Sequence, residues 1–209
     1  MALFMQHKED SYLLGIWKME ESFSALCKIV PNSSLPEQAK LQFTAPHRQL
    51  EWLSVRVLLS HLLGEEKEIS YLPSGKPYLA DGSSHISISH TKGYVAVILG
   101  DKPVAIDIEQ YGQRVHKVAH KYMREDEVTT LYQGADTWSL LLHWSAKEVM
   151  FKCMDTSEVD FRQHLHIEPF IVQERGSFYA REYKTDQQRH FLIRYLIHPD
   201  FVLTWQVDL

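Results

Sequence analysis

Apolar residues follow a helical period in two long stretches of the chain. Leu50, Leu53 and Val57 lie on one stripe of a helix predicted to begin at an N-cap residue, Thr44, and to end at Gly64. A second amphipathic pattern covers residues 136–154, where Asp136 is able to cap the first turn. We therefore expect two long helices, one in each part of the chain.

Shorter apolar stretches rich in β-branched and aromatic residues predict strands between and around these helices. The predicted strands are residues 12–17, 69–72, 85–89, 94–99, 104–109, 165–172, 178–183, 191–198 and 201–207. Weaker helical patterns cover residues 22–30, 35–43, 115–123 and 125–132, and turn-forming residues mark 73–77 and 90–93.

A helix followed by hairpin-connected strands occurs in both parts of the chain. This order predicts an α+β fold of two pseudo-symmetric halves, each a small antiparallel sheet packed with helices. We place the N-terminal half at residues 1–102 and the C-terminal half at residues 103–209.

The predicted strand over residues 104–109 carries two carboxylates on one face. Successive side chains of a strand point to opposite faces, so Ile106 and Ile108 enter a core while Asp107 and Glu109 share the other face. Two adjacent carboxylates repel each other, and a hard divalent cation such as Mg²⁺ makes the arrangement favourable. The alternative is an exposed strand face that carries two solvated acids.

The second long helix places an aromatic residue beside charged ones. Trp144, Glu148 and Lys152 are spaced i, i+4 and i+8, so they lie near one face. Glu148 and Lys152 could also be an ordinary surface ion pair worth ~0.2–0.5 kcal/mol. Trp144 is less easily explained that way, because an aromatic residue there implies burial next to charge.

Basic and hydroxyl side chains in the first half are candidates for an anion site. Arg48 and Arg56 fall outside the apolar stripe, which is typical either of solvated charges or of phosphate contacts. Ser89, His90 and Thr91 come at the end of a strand, where hydroxyls, an imidazole and backbone N–H groups suit a phosphate. The alternative for His90 is a loop histidine without a ligand.

His116 and His120 are spaced i and i+4, which is a metal-like spacing on a helix. The sequence offers no third ligand for them. We therefore predict that both are surface residues.

Composition limits the classes of function. The chain has 209 residues, 44% of them hydrophobic, and a formal net charge of -5. An acidic chain has no general basic field to attract nucleic acid, so any anionic ligand must bind to a local basic cluster. The motifs G-x-x-x-x-G-K-[ST] and G-x-G-x-x-G are absent, which disfavours the usual phosphate-loop folds.

The sequence also predicts a cellular location. It contains two cysteines, which favours a reduced protein without a disulfide framework. Residues 1–10 become charged too quickly for a signal peptide, and the apolar run over 94–99 is far too short to span a bilayer. We expect a cytoplasmic protein that binds neither membrane nor nucleic acid.

The separate motifs also form an ordered set. They are Arg48, Gly75-Lys76-Pro77-Tyr78, Ser87-Ile88-Ser89-His90-Thr91, Val104-Ala105-Ile106-Asp107-Ile108-Glu109, and Trp144-Ser145-Ala146-Lys147-Glu148 with Lys152. In this order and at these separations, the chain resembles the 4′-phosphopantetheinyl transferases of the surfactin-synthetase type. The acid pair followed by W-x-x-K-E-x-x-x-K is the most diagnostic part of the resemblance, which covers almost the whole chain.

The resemblance implies a monomer of two pseudo-symmetric halves with the active site in the cleft between them. Such enzymes transfer 4′-phosphopantetheine from coenzyme A to a serine of an apo acyl or peptidyl carrier protein and release adenosine 3′,5′-bisphosphate. The resemblance makes Asp107, Glu109 and Glu148 ligands of Mg²⁺ on the pyrophosphate, which Lys152 would neutralise. Glu148 is our candidate to deprotonate the serine, either directly or through water.

The resemblance also assigns residues that bind coenzyme A. His90 and Arg48 would meet its phosphates, and Lys76, Ser89 and Thr91 would lie around its nucleotide end. Glu127 falls at an acidic position of the family.

Two further hypotheses compete with a transferase. One is a catalytically silent module that binds carrier proteins, and the other is a different Mg²⁺-dependent nucleotide enzyme such as a hydrolase. A basic face with Arg114, Lys117, Lys121 and Arg124 could dock an acidic carrier protein, or it could simply be a solvated helix face.

Overall fold

The chain forms two compact units in the computed structural model, which describes residues 3–154, 156 and 158–207. The first unit ends at Val104 and the second begins at Ala105. Helices pack on antiparallel sheets, so the predicted α+β class is confirmed.

The first unit contains a four-stranded antiparallel sheet and a small hairpin. Its strands are β1 (Leu3–Glu9), β2 (Tyr12–Lys18), β3 (Ile69–Tyr71), β4 (Pro77–Leu79), β5 (His85–Thr91) and β6 (Tyr94–Gly100). The sheet has the order β1-β2-β6-β5, and β3 pairs with β4. The strand β5 runs on through His90 and Thr91, so the hairpin turn falls later than predicted, at Lys92–Gly93.

The helices of the first unit are α1 (Phe23–Leu26), α2 (Leu35–Gln42) and α3 (Pro46–Leu63). Ala45 is the N-cap of α3, not Thr44 as predicted, because Pro46 already has the fixed φ of the first helical turn. Gly64 ends α3 as predicted, with a left-handed φ of 72°.

The helix α3 packs closely against the sheet strands β2 and β6. Gly15 permits this approach, since a Cβ atom there would lie 2.8 Å from Leu62 Cδ2 and 2.9 Å from Leu58 Cδ1. The apolar stripe of α3, including Leu53 and Leu58, is thereby removed from water and forms the core of the unit with Val97.

The second unit pairs one long helix with a five-stranded sheet. Its elements are β7 (Val104–Gln110), α4 (Arg114–Val118), a 3₁₀ turn (Ala119–Lys121), α5 (Thr137–Cys153), α6 (Phe161–His164), β8 (Leu165–Ile167), β9 (Arg175–Glu182), β10 (His190–His198) and β11 (Phe201–Val207). The strand order is β7-β11-β10-β9-β8, and α5 packs on β11.

Most of α5 is buried, which leaves one narrow face open. Within this helix, the residues that are not buried are Trp144, Glu148, Phe151 and Lys152. Their spacing of i, i+4, i+7 and i+8 places them along one line. The accessible face of α5 is therefore the one that the sequence singled out for its chemistry.

Two predicted elements differ from the structure, and one strand of the structure was not predicted. Residues 125–132 do not form a helix, because the Glu127 carboxylate accepts hydrogen bonds from the backbone N–H groups of Arg124 and Ile167. The strand predicted over 165–172 ends at Ile167. The strand β1 was not predicted, since it is largely exposed and has little apolar alternation.

Among the described residues, no helix is both long and apolar enough to cross a membrane.

Candidate functional site

Asp107 lies at the centre of a polar cluster between β7 and α5. Its side chain is buried, with Oδ1 2.9 Å from Lys152 Nζ, and Oδ2 accepts a hydrogen bond of 2.8 Å from Ser145 Oγ. Lys152 Nζ also donates to the carbonyl of Ile106 at 2.8 Å. Burial of Asp107 rules out the solvated-acid alternative for this residue.

Lys152 does not form the ion pair with Glu148 that the helical spacing suggests. Among the described residues, its ion-pair partner is Asp107, and not Glu148 one turn earlier. The ammonium group therefore joins the helix to the acidic strand, and the plain surface-pair alternative does not describe it.

Glu109 is fixed by an aromatic residue. Trp144 Nε1 donates a hydrogen bond of 2.7 Å to Glu109 Oε1, which explains why an indole lies beside charge on α5. Burial, followed by the repulsion of Asp107, raises the pKa of Glu109 to about 7, although the Trp144 hydrogen bond opposes the shift.

Glu148 lies on the same open face of α5. Burial raises the pKa of its carboxyl group, Asp107 raises it further, and the charge of Lys152 opposes both effects. Glu148 also raises the pKa of Glu109, so the carboxylates of β7 and α5 share one electrostatic environment.

These carboxylates could hold a hard cation, although their side chains are not arranged as a metal centre. Across the described part of the chain, no group of three or more His, Cys, Asp or Glu side chains is placed to hold a metal ion. Instead Asp107 is bound to Lys152 and Ser145. The donor set itself fits Mg²⁺, because it consists of carboxylate oxygens. Burial and, after it, repulsion by Asp107 raise the pKa of Glu109, and a divalent cation would relieve that repulsion.

Lys147 and Glu127 form a completely buried ion pair behind this face. Lys147 Nζ lies 2.8 Å from Glu127 Oε2, and both side chains have 0% relative exposure. Burial lowers the pKa of Lys147, and the charge of Glu127 partly offsets that effect. Glu127 therefore has a structural partner inside the second unit.

Arg48 and His90 meet in the first unit. Arg48 Nη1 lies 2.7 Å from His90 Nε2 and 2.6 Å from Glu51 Oε2. A guanidinium group can only donate, so His90 Nε2 is the acceptor and its imidazole is neutral in this arrangement. The two residues predicted to meet phosphates of coenzyme A are therefore in direct contact, and their role in binding stays a prediction.

Arg56 lies in the same region but is not the solvated charge that its position outside the apolar stripe suggested. It is buried, and its guanidinium carbon lies 3.2 Å from the centroid of the Trp52 ring. Burial lowers the pKa of Arg56 to about 10. Arg48, Arg56 and His90 all line one cavity of about 260 Å³.

The other residues predicted to bind a nucleotide belong to the hairpins of this unit. Ser89 is buried on β5 and Thr91 is half-buried at the end of that strand. Lys76 is half-buried between Gly75 and Pro77, two residues that line the cavity with Arg48.

Two residues of the site were missed from the sequence. Ser145 and Thr204 form a hydrogen-bonded pair with their hydroxyl oxygens 2.7 Å apart, and Ser145 then binds Asp107. Both side chains are fully buried. For Thr204 the available signal was a hydroxyl inside an apolar run, because a buried polar group needs a partner.

His116 and His120 lie on the surface as predicted, and both are exposed. His116 Nε2 lies 2.9 Å from Thr137 Oγ1, so this imidazole contacts the start of α5.

The second unit thus has an α+β fold. The carboxylates of its polar cluster and Lys152 lie on the strand β7 and the helix α5. Residues 103–205, just under half of the chain, match the model of the 4′-phosphopantetheinyl transferase superfamily. This half of the chain is therefore similar to the phosphopantetheinyl transferases.

A named relative shows the same similarity. Over 83 residues the chain is 31% identical to the 4′-phosphopantetheinyl transferase gsp of Aneurinibacillus migulanus. The match covers 38% of this chain and 35% of that protein, so the chain spans about a third of the relative that it matches.

Proposed function

We propose that the protein transfers 4′-phosphopantetheine from coenzyme A to a serine of an apo acyl or peptidyl carrier protein. The observation that carries this proposal is the meeting of Asp107 and Glu109 with Trp144 and Lys152, beside Glu148 on the open face of α5. The similarity of residues 103–205 to the phosphopantetheinyl transferases supports it, because all five residues lie inside that segment.

The reaction is a substitution at the phosphorus atom that bears the pantetheine arm. The serine Oγ–P bond forms, the bond from that phosphorus to the bridging oxygen breaks, and adenosine 3′,5′-bisphosphate leaves with the electron pair. The serine proton must go to a base, and negative charge grows on the departing oxygen.

Two residues of α5 meet these needs. We assign Glu148 as the base, since its raised pKa brings a carboxylate closer to the basicity that proton transfer requires. Among the described residues, Lys152 Nζ donates to Asp107 and to the Ile106 carbonyl, and we propose that a third N–H bond donates to the leaving phosphate.

We assign Asp107, Glu109 and Glu148 as the residues that would hold Mg²⁺. The ion would neutralise charge on the pyrophosphate. Ser145 and Trp144 hold two of these carboxylates in place through their hydrogen bonds, so the strand face is ordered before any ligand arrives.

The first unit would bind the phosphates and nucleotide of coenzyme A. Arg48 and Arg56 bring two guanidinium groups to one cavity there beside His90, and the Glu51 carboxylate in the same lining offsets part of their charge. We also retain Lys76, Ser89 and Thr91 as residues around the nucleotide end.

The setting of the reaction follows from the same proposal. We propose a cytoplasmic monomer that acts on coenzyme A and a carrier protein, without nucleic acid or membrane. The two cysteines have free thiols, which suits a reducing compartment.

Intact mass spectrometry tests the proposed function. Apo carrier protein is incubated with the protein, coenzyme A and Mg²⁺, and we expect the carrier to gain one phosphopantetheine on its serine. A carrier in which that serine is alanine is the control and should not change in mass.

Two other outcomes would contradict the proposal. Binding of carrier protein without any gain in mass would favour the silent module. Cleavage of coenzyme A that is independent of the carrier would favour a hydrolase.

A further inference from the structure

Lys147 lies inside the second unit, away from the open face of α5. Its ammonium group donates to three acceptors: the carbonyl of Tyr122 at 2.6 Å, Glu127 Oε2 at 2.8 Å and the carbonyl of Phe161 at 3.2 Å. A lysine ammonium has three N–H bonds, so all of them are used. Burial of a charged pair costs desolvation free energy even when all of its hydrogen bonds are made. We therefore ask what else this pair does.

The two carbonyl partners of Lys147 belong to the residues that enclose Trp144. The Tyr122 and Trp144 ring centroids are 5.3 Å apart at an interplanar angle of 61°, an edge-on contact. The Phe161 and Trp144 centroids are 5.6 Å apart at 40°. A single ammonium group therefore fixes the backbone of both aromatic neighbours of the Trp144 indole.

The orientation of that indole matters because its N–H is bound to the acidic strand. Trp144 Nε1 donates to Glu109 Oε1 at 2.7 Å, and a hydrogen bond weakens steeply when its donor turns away. A rotation of the ring would release the Glu109 carboxylate from this position.

Glu127 completes the arrangement from the other side of Lys147. Its Oε2 accepts from Arg124 N at 2.8 Å, and its Oε1 accepts from Ile167 N at 2.7 Å. The pair thus joins to α5 the backbone at Arg124, shortly after Tyr122, and at Ile167, shortly after Phe161. Residues 122–127 lie in no helix or strand.

We propose that Lys147 is a positioning residue, which holds Tyr122 and Phe161 so that Trp144 keeps Glu109 in place. This inference rests on the proposed function for its catalytic consequence. The physical part, that the buried pair sets the orientation of the Trp144 ring, is independent of the reaction.

The alternative is that the pair contributes only to stability. Replacing a buried ion pair by apolar residues of similar volume is often neutral or stabilising, whereas removing one partner leaves an unpaired charge. The double substitution Lys147→Met with Glu127→Leu separates the two roles, because it removes the positioning hydrogen bonds without leaving a buried charge.

The experiment combines ¹⁹F NMR with steady-state kinetics. The protein is labelled with 5-fluorotryptophan, which gives one resonance for each of its five tryptophans, and Trp144→Phe assigns the resonance of Trp144. In the double variant we expect the Trp144 resonance to shift or broaden while those of Trp17 and Trp52 stay unchanged. We expect kcat to fall by about 10- to 100-fold, the usual effect of losing such support, with little change in the KM for coenzyme A.

Glu182→Gln is the matched control. Glu182 is a buried carboxylate of the same unit, and it accepts hydrogen bonds from the backbone N–H groups of Lys184 and Thr185. Its loss should lower the melting temperature but leave the Trp144 resonance in place.

Phe161→Ala provides a second variant in case the double variant does not fold. It removes one aromatic neighbour of Trp144 but keeps the carbonyl that accepts from Lys147. We expect it to move the Trp144 resonance and to lower kcat.

A folded double variant with the wild-type Trp144 resonance and the wild-type kcat would overturn the inference, as would Phe161→Ala with an unmoved resonance. Absence of transferase activity in the wild-type protein would instead refute the proposed function, and the NMR measurement would still decide whether Lys147 positions Trp144.

Discussion

At the scale of single residues, Asp107 joins the acidic strand β7 to the helix α5. Its two carboxylate oxygens bind Lys152 and Ser145, and the residue is only 5% exposed. Because the proposed role of Asp107 is charge stabilisation, its charge should matter more than its shape.

We predict that Asp107→Asn lowers kcat by about a hundredfold or more at saturating coenzyme A, because one charge of the proposed cation site is lost. The isosteric amide should leave the fold intact, and Asp107→Ala should lower kcat at least as much. Asp101→Asn, at an exposed position, is the control and should behave as wild type. Near-normal turnover of Asp107→Asn would remove this residue from the proposed metal site.

Glu109 gives a prediction about pH. Its pKa rises from 4.5 to about 7 on folding, so the folded protein binds more protons than the unfolded chain between these values. The stabilising effect of the neutral carboxyl group is complete below pH 4.5 and is lost as the pH rises through about 7. The melting temperature of the metal-free protein should therefore decrease as the pH rises from 4.5 to about 7, and Glu109 should cause part of that decrease.

Glu109→Gln is the variant that isolates this component. The glutamine side chain stays neutral at every pH. In a chelating buffer, the melting temperature of this variant should therefore lack the part of the decrease that Glu109 causes. The same pH profile in Glu109→Gln and in the wild-type protein would show that Glu109 does not titrate as described.

Arg48 and His90 give a prediction about binding. If they contact phosphates of coenzyme A, Arg48→Ala and His90→Ala should each raise the KM for coenzyme A by about tenfold, the typical value of one charge-assisted hydrogen bond. The increase should be smaller with 3′-dephospho-coenzyme A if the residue touches the 3′-phosphate. Lys92→Ala, at an exposed position in the adjacent turn, serves as the control, and equal losses with both substrates would exclude the 3′-phosphate contact.

At the scale of elements, α4 and its 3₁₀ extension form an exposed basic surface. Arg114 and Lys117 lie one turn apart on α4, and Lys121 ends the 3₁₀ turn, all three exposed. Arg124 is different, since its guanidinium group is already bound to Asp126. The surface proposed to dock an acidic carrier protein therefore consists chiefly of the first three residues.

We predict that reversing Lys117 and Lys121 to Glu raises the KM for carrier protein by about tenfold at low salt and leaves the KM for coenzyme A unchanged. The wild-type KM for carrier should also increase with added salt, because exposed charges are screened. Reversing Lys8 and Lys28, two exposed lysines of the first unit, makes the same change in net charge and is the control. Equal carrier kinetics for both double variants would place the docking surface elsewhere.

The elements that the sequence predicted well are the long and periodic ones. The helices α3 and α5 and the strand β7 follow from local pattern, because each buries an apolar face against its own unit. The face of α5 with Trp144, Glu148 and Lys152 could be predicted for the same reason, since helical spacing alone aligns them.

The elements that failed depend on distant contacts. Residues 125–132 have a helical pattern, but Glu127 is bound to Lys147 and Ile167, which are 20 and 40 positions away in sequence. Likewise, nothing local shows that Lys152 pairs with Asp107, 45 positions away, or that Ser145 bridges Asp107 and Thr204. Such pairings arise from tertiary packing, which overrides local preference.

At the scale of the whole molecule, the distribution of charge matters more than its sum. The net charge is -5, yet Arg48, Arg56 and His90 line one cavity of the first unit while the carboxylates cluster in the second. Composition could exclude a general basic surface, but it could not show that a buried guanidinium of Arg56 lies in that cavity. Each unit has its own apolar core, which can hold the polar side chains of that unit in a fixed geometry.

The central claim is that the carboxylate and lysine cluster of the second unit catalyses transfer to a carrier serine. A single-turnover experiment with limiting coenzyme A, excess apo carrier protein and Mg²⁺ tests it most directly, by following the modified carrier and released adenosine 3′,5′-bisphosphate in the same samples. We predict that the two products appear together in equal amounts with the wild-type protein and about a hundredfold or more slowly with Glu148→Gln. Release of the bisphosphate without modified carrier, or an equal rate in Glu148→Gln, would contradict the account.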